Sequence, residues 1–383
     1  MKLNRLLLVL ASGLGAVGMT ACGGSNGNSS APVLTPQATQ VSVPSGSTIS
    51  SGSTVAVGCA ESVCTLQIPG GSGFESVTAP EGINSADQIS AVTYQNGNVV
   101  LIDTSNVVYT GNASSSVSQN SNNLGAVPFT YFSVLAPESS ILASVSLNSG
   151  SYIVSIGLPV SSSIIASATA GVSTVDAVAA PTPSQCSGAS GVTTTAISGT
   201  SANVAGSPYT GIGLSNGQVC VYNTSSQTFT NLTTDYTKAS TAYSSETNAV
   251  GGIAFYQSGS SCSGYWFNQT DGNIWGVNAT CGSSTVTANS FNQLNSSSVV
   301  SGLIPQNASA IYVDATNGVY VGGTLAGQTA IFYLSPGTSV WTATTLGSGT
   351  VTAISSVSNP TNPTEVSVSL SNGLSYNVVA GQQ

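Results

Sequence analysis

Histidine is absent from this 383-residue chain, and only three residues are basic: Lys2, Arg5 and Lys238. Each absence removes a class of function. Without imidazole there is no Ser-His-Asp or Cys-His catalysis and no imidazole metal ligand. With Arg confined to position 5, no guanidinium is available to clamp a carboxylate or phosphate. No basic patch exists to neutralise a phosphate backbone, which excludes nucleic acid as a partner. Charged residues make up 4% of the chain, against about 25% in ordinary soluble domains.

The acidic residues are equally sparse. They are Glu61, Glu75, Glu81, Asp87, Asp103, Glu138, Asp176, Asp235, Glu246, Asp271, Asp314 and Glu365. They lie apart, so no compact D-x-D-x-D loop offers a calcium site, and no cofactor or metal is expected. A hydrophobic fraction of 40% argues for a packed core rather than disorder. The polar surface is therefore made of Ser, Thr, Asn, Gln and Gly. Two readings of the missing charge stand side by side. One is an acidic habitat, where carboxylates protonate below about pH 4 and a chain with few bases avoids positive self-repulsion. The other is a secreted surface that offers trypsin-like proteases little to cut.

The N-terminus carries an export address. Lys2 and Arg5 precede the apolar run of residues 6–18, which is too short to span a bilayer comfortably. Met19-Thr20-Ala21-Cys22 follows. This arrangement resembles the signal peptides of bacterial lipoproteins, with Met19 where that family usually has Leu. The resemblance implies a signal peptide over 1–21, lipidation (palmitate among the acyl chains) at Cys22, and a membrane as the partner of that anchor. Gly23 after the cysteine implies the outer membrane, with the protein facing the periplasm or the cell surface. Residues 22–39 are polar, Gly- and Pro-containing and aperiodic, and read as a flexible tether. The folded domain is expected over 40–383.

Six further cysteines, Cys59, Cys64, Cys186, Cys220, Cys262 and Cys281, read as disulfides in an exported chain. Neighbour pairing is the simplest of the fifteen connectivities: Cys59–Cys64, Cys186–Cys220 and Cys262–Cys281. The last pair has a geometric argument. Asp271-Gly272 is a two-residue turn signal between apolar runs, and folding the chain about it puts Cys262 directly opposite Cys281. The same register puts Trp275 opposite Asn268, with Trp266 as its diagonal neighbour on one face.

Residues 40–383 read as strands throughout, in Val-, Ile-, Thr- and Tyr-rich runs such as Ile89–Tyr94, Val219–Tyr222, Ile331–Leu334 and Glu365–Leu370. Only Thr174–Ala180 reads as a helical turn. A repeat is visible: strand, Asn/Asp-Gly turn, strand, at Asn96-Gly97, Asn216-Gly217, Asp271-Gly272, Asn317-Gly318 and Asn372-Gly373, with Ser149-Gly150 as a weaker copy. The spacing is close to 50 residues. Four strands in such a unit resemble β-propeller blades, which implies an all-β propeller of about seven four-stranded blades, alternatively six. The C-terminal unit has three strands, so a strand near residues 40–45 is expected to complete it and close the ring. A β-solenoid, paired sandwiches and repeated immunoglobulin-like modules are the competing architectures.

Few residues are candidates for chemistry. Trp266 and Trp275 could stack sugar rings or fill the core between blades, and Trp341 is the third Trp. Asp103, Asp271 and Asp314 lie near strand ends and are the best available carboxylates for a glycosidase pair, although Asp271 is also explained as a turn residue. Lys238 reads as a solvated loop residue. The Asn-x-Ser/Thr triplets at Asn231, Asn268, Asn278 and Asn307 follow from composition alone. The sequence thus points to a membrane-anchored, non-catalytic binding, adhesion or scaffold module that takes an envelope protein or glycan as partner. The alternative is a carboxylate-based hydrolase of polysaccharide or lactone.

Overall fold

In a computed structural model, residues 31–95, 98–105, 107–112, 118–119, 129–135, 140–147, 150–157, 194–197, 209–223, 226, 228–233, 243, 248–282, 285–358 and 360–381 are described. The signal peptide, Cys22, Cys186, Lys238 and the expected helical turn at 174–180 lie outside them. The described chain runs through seven antiparallel sheets in sequence order. Sheet 1 comprises Ser47–Ile49, Ala56–Ala60, Val63–Gly70 and Gly73–Thr78. Sheet 2 comprises Ile89–Gln95, Asn98–Asp103, Val108–Asn112 and Ser118–Gln119. Sheet 3 has Phe129–Leu135, Ser140–Leu147 and Gly150–Gly157, and sheet 4 has Thr194–Ile197, Tyr209–Leu214, Val219–Asn223 and Thr228–Asn231. Sheet 5 is Val250–Ser258, Ser261–Asn268, Ile274–Cys281 and Val286–Gln293. Sheet 6 is Gln306–Val313, Val319–Leu325, Gln328–Leu334 and Val340–Thr345, with Ser301–Gly302 added parallel to its last strand. Sheet 7 is Val351–Ser356, Val366–Leu370 and Ser375–Gly381.

Sheet 7 takes its fourth strand from the other end of the domain. Thr35–Val41 pairs antiparallel with Ser375–Gly381, from Thr35 opposite Gly381 to Val41 opposite Ser375. This is the expected closure, made by an earlier segment than 40–45. It uses the last residues of the stretch expected as tether, so the folded chain begins ahead of residue 40. Among the described residues the architecture is six complete blades of four or more strands plus the three-stranded sheet 3. The expectation of about seven blades, or six, is met in that form.

The strands are short β-branched and aromatic runs, and many are buried along their whole length. Val219–Asn223 and Val366–Leu370 are buried at every position, because a blade is covered on both faces. Apolar clusters fill the joints between sheets 1 and 2, 4 and 5, 5 and 6, and 6 and 7.

The Asn-Gly signals at Asn216-Gly217, Asn317-Gly318 and Asn372-Gly373 mark turns, as expected, in a longer form than two residues, and Asn96-Gly97 lies outside the described residues. Leu214 N–H bonds Gln218 O around Ser215-Asn216-Gly217, and Leu370 N–H bonds Leu374 O around Ser371-Asn372-Gly373. Gly217 and Gly373 sit at φ 80° and 82°, the left-handed conformation that a three-residue hairpin loop demands and glycine adopts without steric cost.

The turn at Asp271-Gly272 corrects the expected register. Asn268 N–H bonds Asn273 O, and Gly272 N–H bonds Asn268 O, so four residues bridge the strands. Trp266 therefore stands directly opposite Trp275, and Cys262 stands opposite Ala279. The disulfide Cys262–Cys281 forms across the diagonal, with a Cα–Cα distance of 5.9 Å. The slip is by two, which keeps side-chain parity, so both cysteines and both Trp remain on one face.

Cys59–Cys64 bridges a directly opposed pair, and Cys220 is disulfide-bonded as well. Its expected partner, Cys186, is outside the described residues. Removing the Cys262–Cys281 bridge by double substitution to Ser is expected to destabilise the domain by about 3 kcal/mol in the chain-entropy account. Chemical denaturation of the variant beside the parent measures it.

Candidate functional site

Where sheets 5 and 6 face one another, packing leaves a cleft of about 240 Å³. Its walls follow from the two meanders. Sheet 5 contributes Tyr265, Asn278 and Asn292 from successive strands. Sheet 6 contributes Asn317, in the turn joining its first two strands, and Ser335 and Thr338, in the turn joining its third and fourth. First and third turns of a meander lie at the same end of a sheet, so the cleft opens at that end. Leu294, Val319 and Leu334 form an apolar strip along it.

The polar lining is tied together. Tyr265 Oη donates to Asn317 Oδ1 (3.1 Å), Asn317 Nδ2 donates to Ser263 Oγ (3.3 Å), Ser263 Oγ donates to Asn278 Oδ1 (3.3 Å), and Asn278 Nδ2 donates to Ser290 Oγ (3.3 Å). Each amide uses one donor and one acceptor within this chain. An amide has two of each, so Asn278 and Asn317 keep a further N–H and a further carbonyl lone pair. Asn317 holds φ 70°, a conformation that Asn tolerates better than most residues. Burial raises the Tyr265 phenol above its ordinary value, partly offset by its bonds to Ser263 and Asn317, so the hydroxyl stays neutral. No charged side chain lines the cleft. Its chemistry is that of fixed, uncharged donor–acceptor pairs beside an apolar strip.

The three candidate carboxylates lie on or beside three different sheets. Asp103 lies on sheet 2, where Oδ1 accepts from the Ser105 and Val107 N–H groups and Oδ2 from the Tyr109 hydroxyl. Asp314 repeats the device on sheet 6. Its Oδ1 accepts from Thr316 N–H (2.8 Å), Thr316 Oγ1 (2.6 Å) and Gly318 N–H (2.9 Å), and its Oδ2 accepts from Tyr333 Oη (2.9 Å). Burial pushes the Asp314 carboxyl above the ordinary Asp value, and these bonds partly oppose it.

Asp271 accepts from Asn273 and Asn248 and serves its turn. Its neighbour Gly272 lies beside the Asn307 backbone, at the start of the strand Gln306–Val313, and Asp314 follows that strand's end. The strand's length separates the two carboxylates by roughly 20 Å at about 3.3 Å per residue, beyond the 5–9.5 Å of a glycosidase pair. Among the described residues no three of His, Cys, Asp and Glu come close enough to hold a metal.

The Trp side chains resolve toward the core. Trp266, Trp275 and Trp341 are 0%, 3% and 1% exposed. Tyr243 packs edge-on against the first two, and Trp341 Nε1 donates to Leu294 O (2.6 Å). A stacking platform needs an open ring face, and these have none. Sequence reading singled out Asn317-Gly318 as a turn and Asn278 as a chance triplet, and missed their role as cleft walls. The signal was the Asn content of the strands themselves, Asn278 and Asn292, which an ordinary strand disfavours.

No family model matches the chain, and no curated protein matches it. Among solved structures it is similar to the Cps50 (Swd1) β-propeller domain of Myceliophteria thermophila, at 9% identity and a TM-score of 0.51, covering 91% of this chain and all of that one. The WD40 β-propeller domain of Doa1 is also similar, at 6% identity and a TM-score of 0.46, covering 92% of this chain and 97% of that one. At 9% identity the Cps50 (Swd1) likeness speaks to the fold alone and agrees with the sheets described above: the chain is an all-β propeller.

Proposed function

We propose that this protein is a membrane-anchored, non-catalytic recognition module of the cell envelope, and that its cleft between sheets 5 and 6 takes an uncharged, hydroxyl-rich ligand such as a glycan residue. The observation that carries the reading is the pair of oriented amides, Asn278 and Asn317, each with a donor and an acceptor to spare. A sugar hydroxyl both donates and accepts, and an amide edge answers both at once. The apolar strip of Leu294, Val319 and Leu334 suits a sugar's C–H face, and the lack of charge gives no reason to select an ion.

The chain enters the fold at the same place. Leu34 N–H donates to Ser335 Oγ, and the Thr342 hydroxyl donates to Leu34 O. Ala31 borders Gly337 at the rim. The ligand in this reading is an envelope glycan, on the outer membrane in the reading given by Gly23.

The test is a panel of neutral oligosaccharides titrated calorimetrically against the mature chain, Asn317→Gly and Asn278→Ala. Each substitution is expected to weaken binding about tenfold or more, as loss of one or two hydrogen bonds does. Gly is chosen at 317 because it keeps the positive φ. Unchanged affinity in both variants, or no neutral glycan bound by the parent, sinks the reading.

A further inference from the structure

Sheet 7 has two unlike faces, and the difference locates a second site, independent of the cleft. One face carries Ile354, Val366, Val368, Tyr376 and Val378, packed on Tyr320 and Tyr333 of sheet 6. The alternate positions form the other face. Pairing puts Ser355, Ser367, Asn377 and Thr39 in one row, and Ala353, Ser369, Ser375 and Val41 in the next. This face looks onto sheet 1. Ser355 Oγ and Thr54 Oγ1 are 2.6 Å apart, Asn377 Nδ2 donates to Gly70 O (2.8 Å) and Gly71 O (3.1 Å), and Val41 lies against Gly73. At the rim, Gly71 N–H bonds Ser358 O and Ser358 N–H bonds Pro69 O.

The joint that closes the ring is thus lined with hydroxyls, where the other joints described above hold apolar clusters. Three of these hydroxyls are buried and make no hydrogen bond to protein: Ser367 Oγ, Ser369 Oγ and Ser375 Oγ. Their residues are 1%, 0% and 1% exposed. Ser369 and Ser375 are directly paired across the strands, and Ser367 is two residues from Ser369 on the same face. Buried hydroxyls find partners in native proteins, from protein or from ordered water, and a site with several convergent polar groups is the kind that internal water occupies.

We infer that the joint between sheets 7 and 1 is a water-binding seam, in which internal water molecules bridge Ser367, Ser369 and Ser375 to the facing backbone of sheet 1. The inference follows from three unsatisfied hydroxyls on adjoining rows of one buried face. Water is the ligand chemistry that matches: it donates and accepts, is small, and needs two to four polar partners. An apolar occupant would leave the hydroxyls unpaired.

Oxygen-17 relaxation dispersion on the mature protein counts long-lived internal waters, and a crystal structure locates them. The expected result is water oxygens at hydrogen-bond distance from the three serines, and a lower count in the variant carrying Ser367→Ala, Ser369→Ala and Ser375→Ala, with a Tm no higher than the parent's. An unchanged count together with a raised Tm overturns the inference, because removing dry, unpaired hydroxyls relieves a penalty. Crystallographic rotamers that turn the hydroxyls onto backbone carbonyls overturn it too. Should the triple variant not fold, Ser369→Ala alone is compared by the same two readings.

Discussion

A chain that begins at Ser42 is expected to lose most of its stability relative to one that begins at Ala31. The difference is one strand. Thr35–Val41 supplies the fourth strand of sheet 7 through seven paired positions, and Leu34 is pinned to sheet 6 at both its N–H and its carbonyl. At about 0.5–1.5 kcal/mol net for each hydrogen bond, the ladder is worth on the order of 5 kcal/mol, comparable with the whole stability of a marginal domain. Removal also uncovers the edge Ser375–Gly381, an open template for intermolecular pairing. The shortened chain should melt about 7 °C lower and aggregate on heating. A synthetic peptide of residues 31–41 added in trans should restore the Tm by strand addition. Equal melting of the two chains would show that the ring does not depend on this closure.

That closure shows what a sequence carries and what it hides. The missing fourth strand of the last unit was legible, because Val351–Gln383 holds three β-branched runs and no fourth. Which residues supply it was not. Thr35-Pro36-Gln37-Ala38 reads as tether, since Pro and a lack of apolar alternation argue against a central strand. An edge position tolerates both, and tertiary pairing decided. The hairpin at Asp271-Gly272 failed in a related way. The dipeptide marks a turn correctly, yet loop length is set by the hydrogen bonds of Asn268 and Asn273, which composition does not reveal. Face parity survived the two-residue slip, so the disulfide and the shared Trp face were still read correctly. The cleft was hardest to foresee. Asn278, Asn292 and Asn317 sit on different strands of two sheets and become neighbours only when the blades pack.

The domain is expected to be at least as stable at pH 3 as at pH 7, the reverse of ordinary acid denaturation. After Cys22 the sequence has one base, Lys238, against twelve acids, a formal charge of −11 at neutral pH. Acid normally unfolds proteins by protonating carboxylates that basic partners stabilise in the fold, leaving the bases to repel one another. Here one base remains to repel, and acidification removes negative self-repulsion instead. Asp314 adds to the effect with a definite sign. Burial raises its folded pKa above the unfolded value of about 3.9. The folded state therefore binds the proton more tightly, and the resulting stability is fully present below the unfolded pKa and lost as pH rises through the folded one.

Thermal melts from pH 2.5 to 8 at fixed ionic strength test this, with Asp314→Asn and Asp314→Ala beside the parent. Asn keeps the three bonds at Oδ1 and offers Nδ2 to the Tyr333 oxygen, so it should match the parent in acid and show a flatter pH profile. Ala leaves the Thr316 and Gly318 N–H groups and the Tyr333 hydroxyl without their acceptor and should cost about 3 kcal/mol in acid, and less as pH rises through the folded pKa of Asp314. A parent Tm that falls steeply between pH 5 and pH 3 would refute the argument from missing charge. A flat or rising Tm would show that the depletion of Lys, Arg and His makes the fold tolerant of acid, which the first of the two readings that composition left open requires.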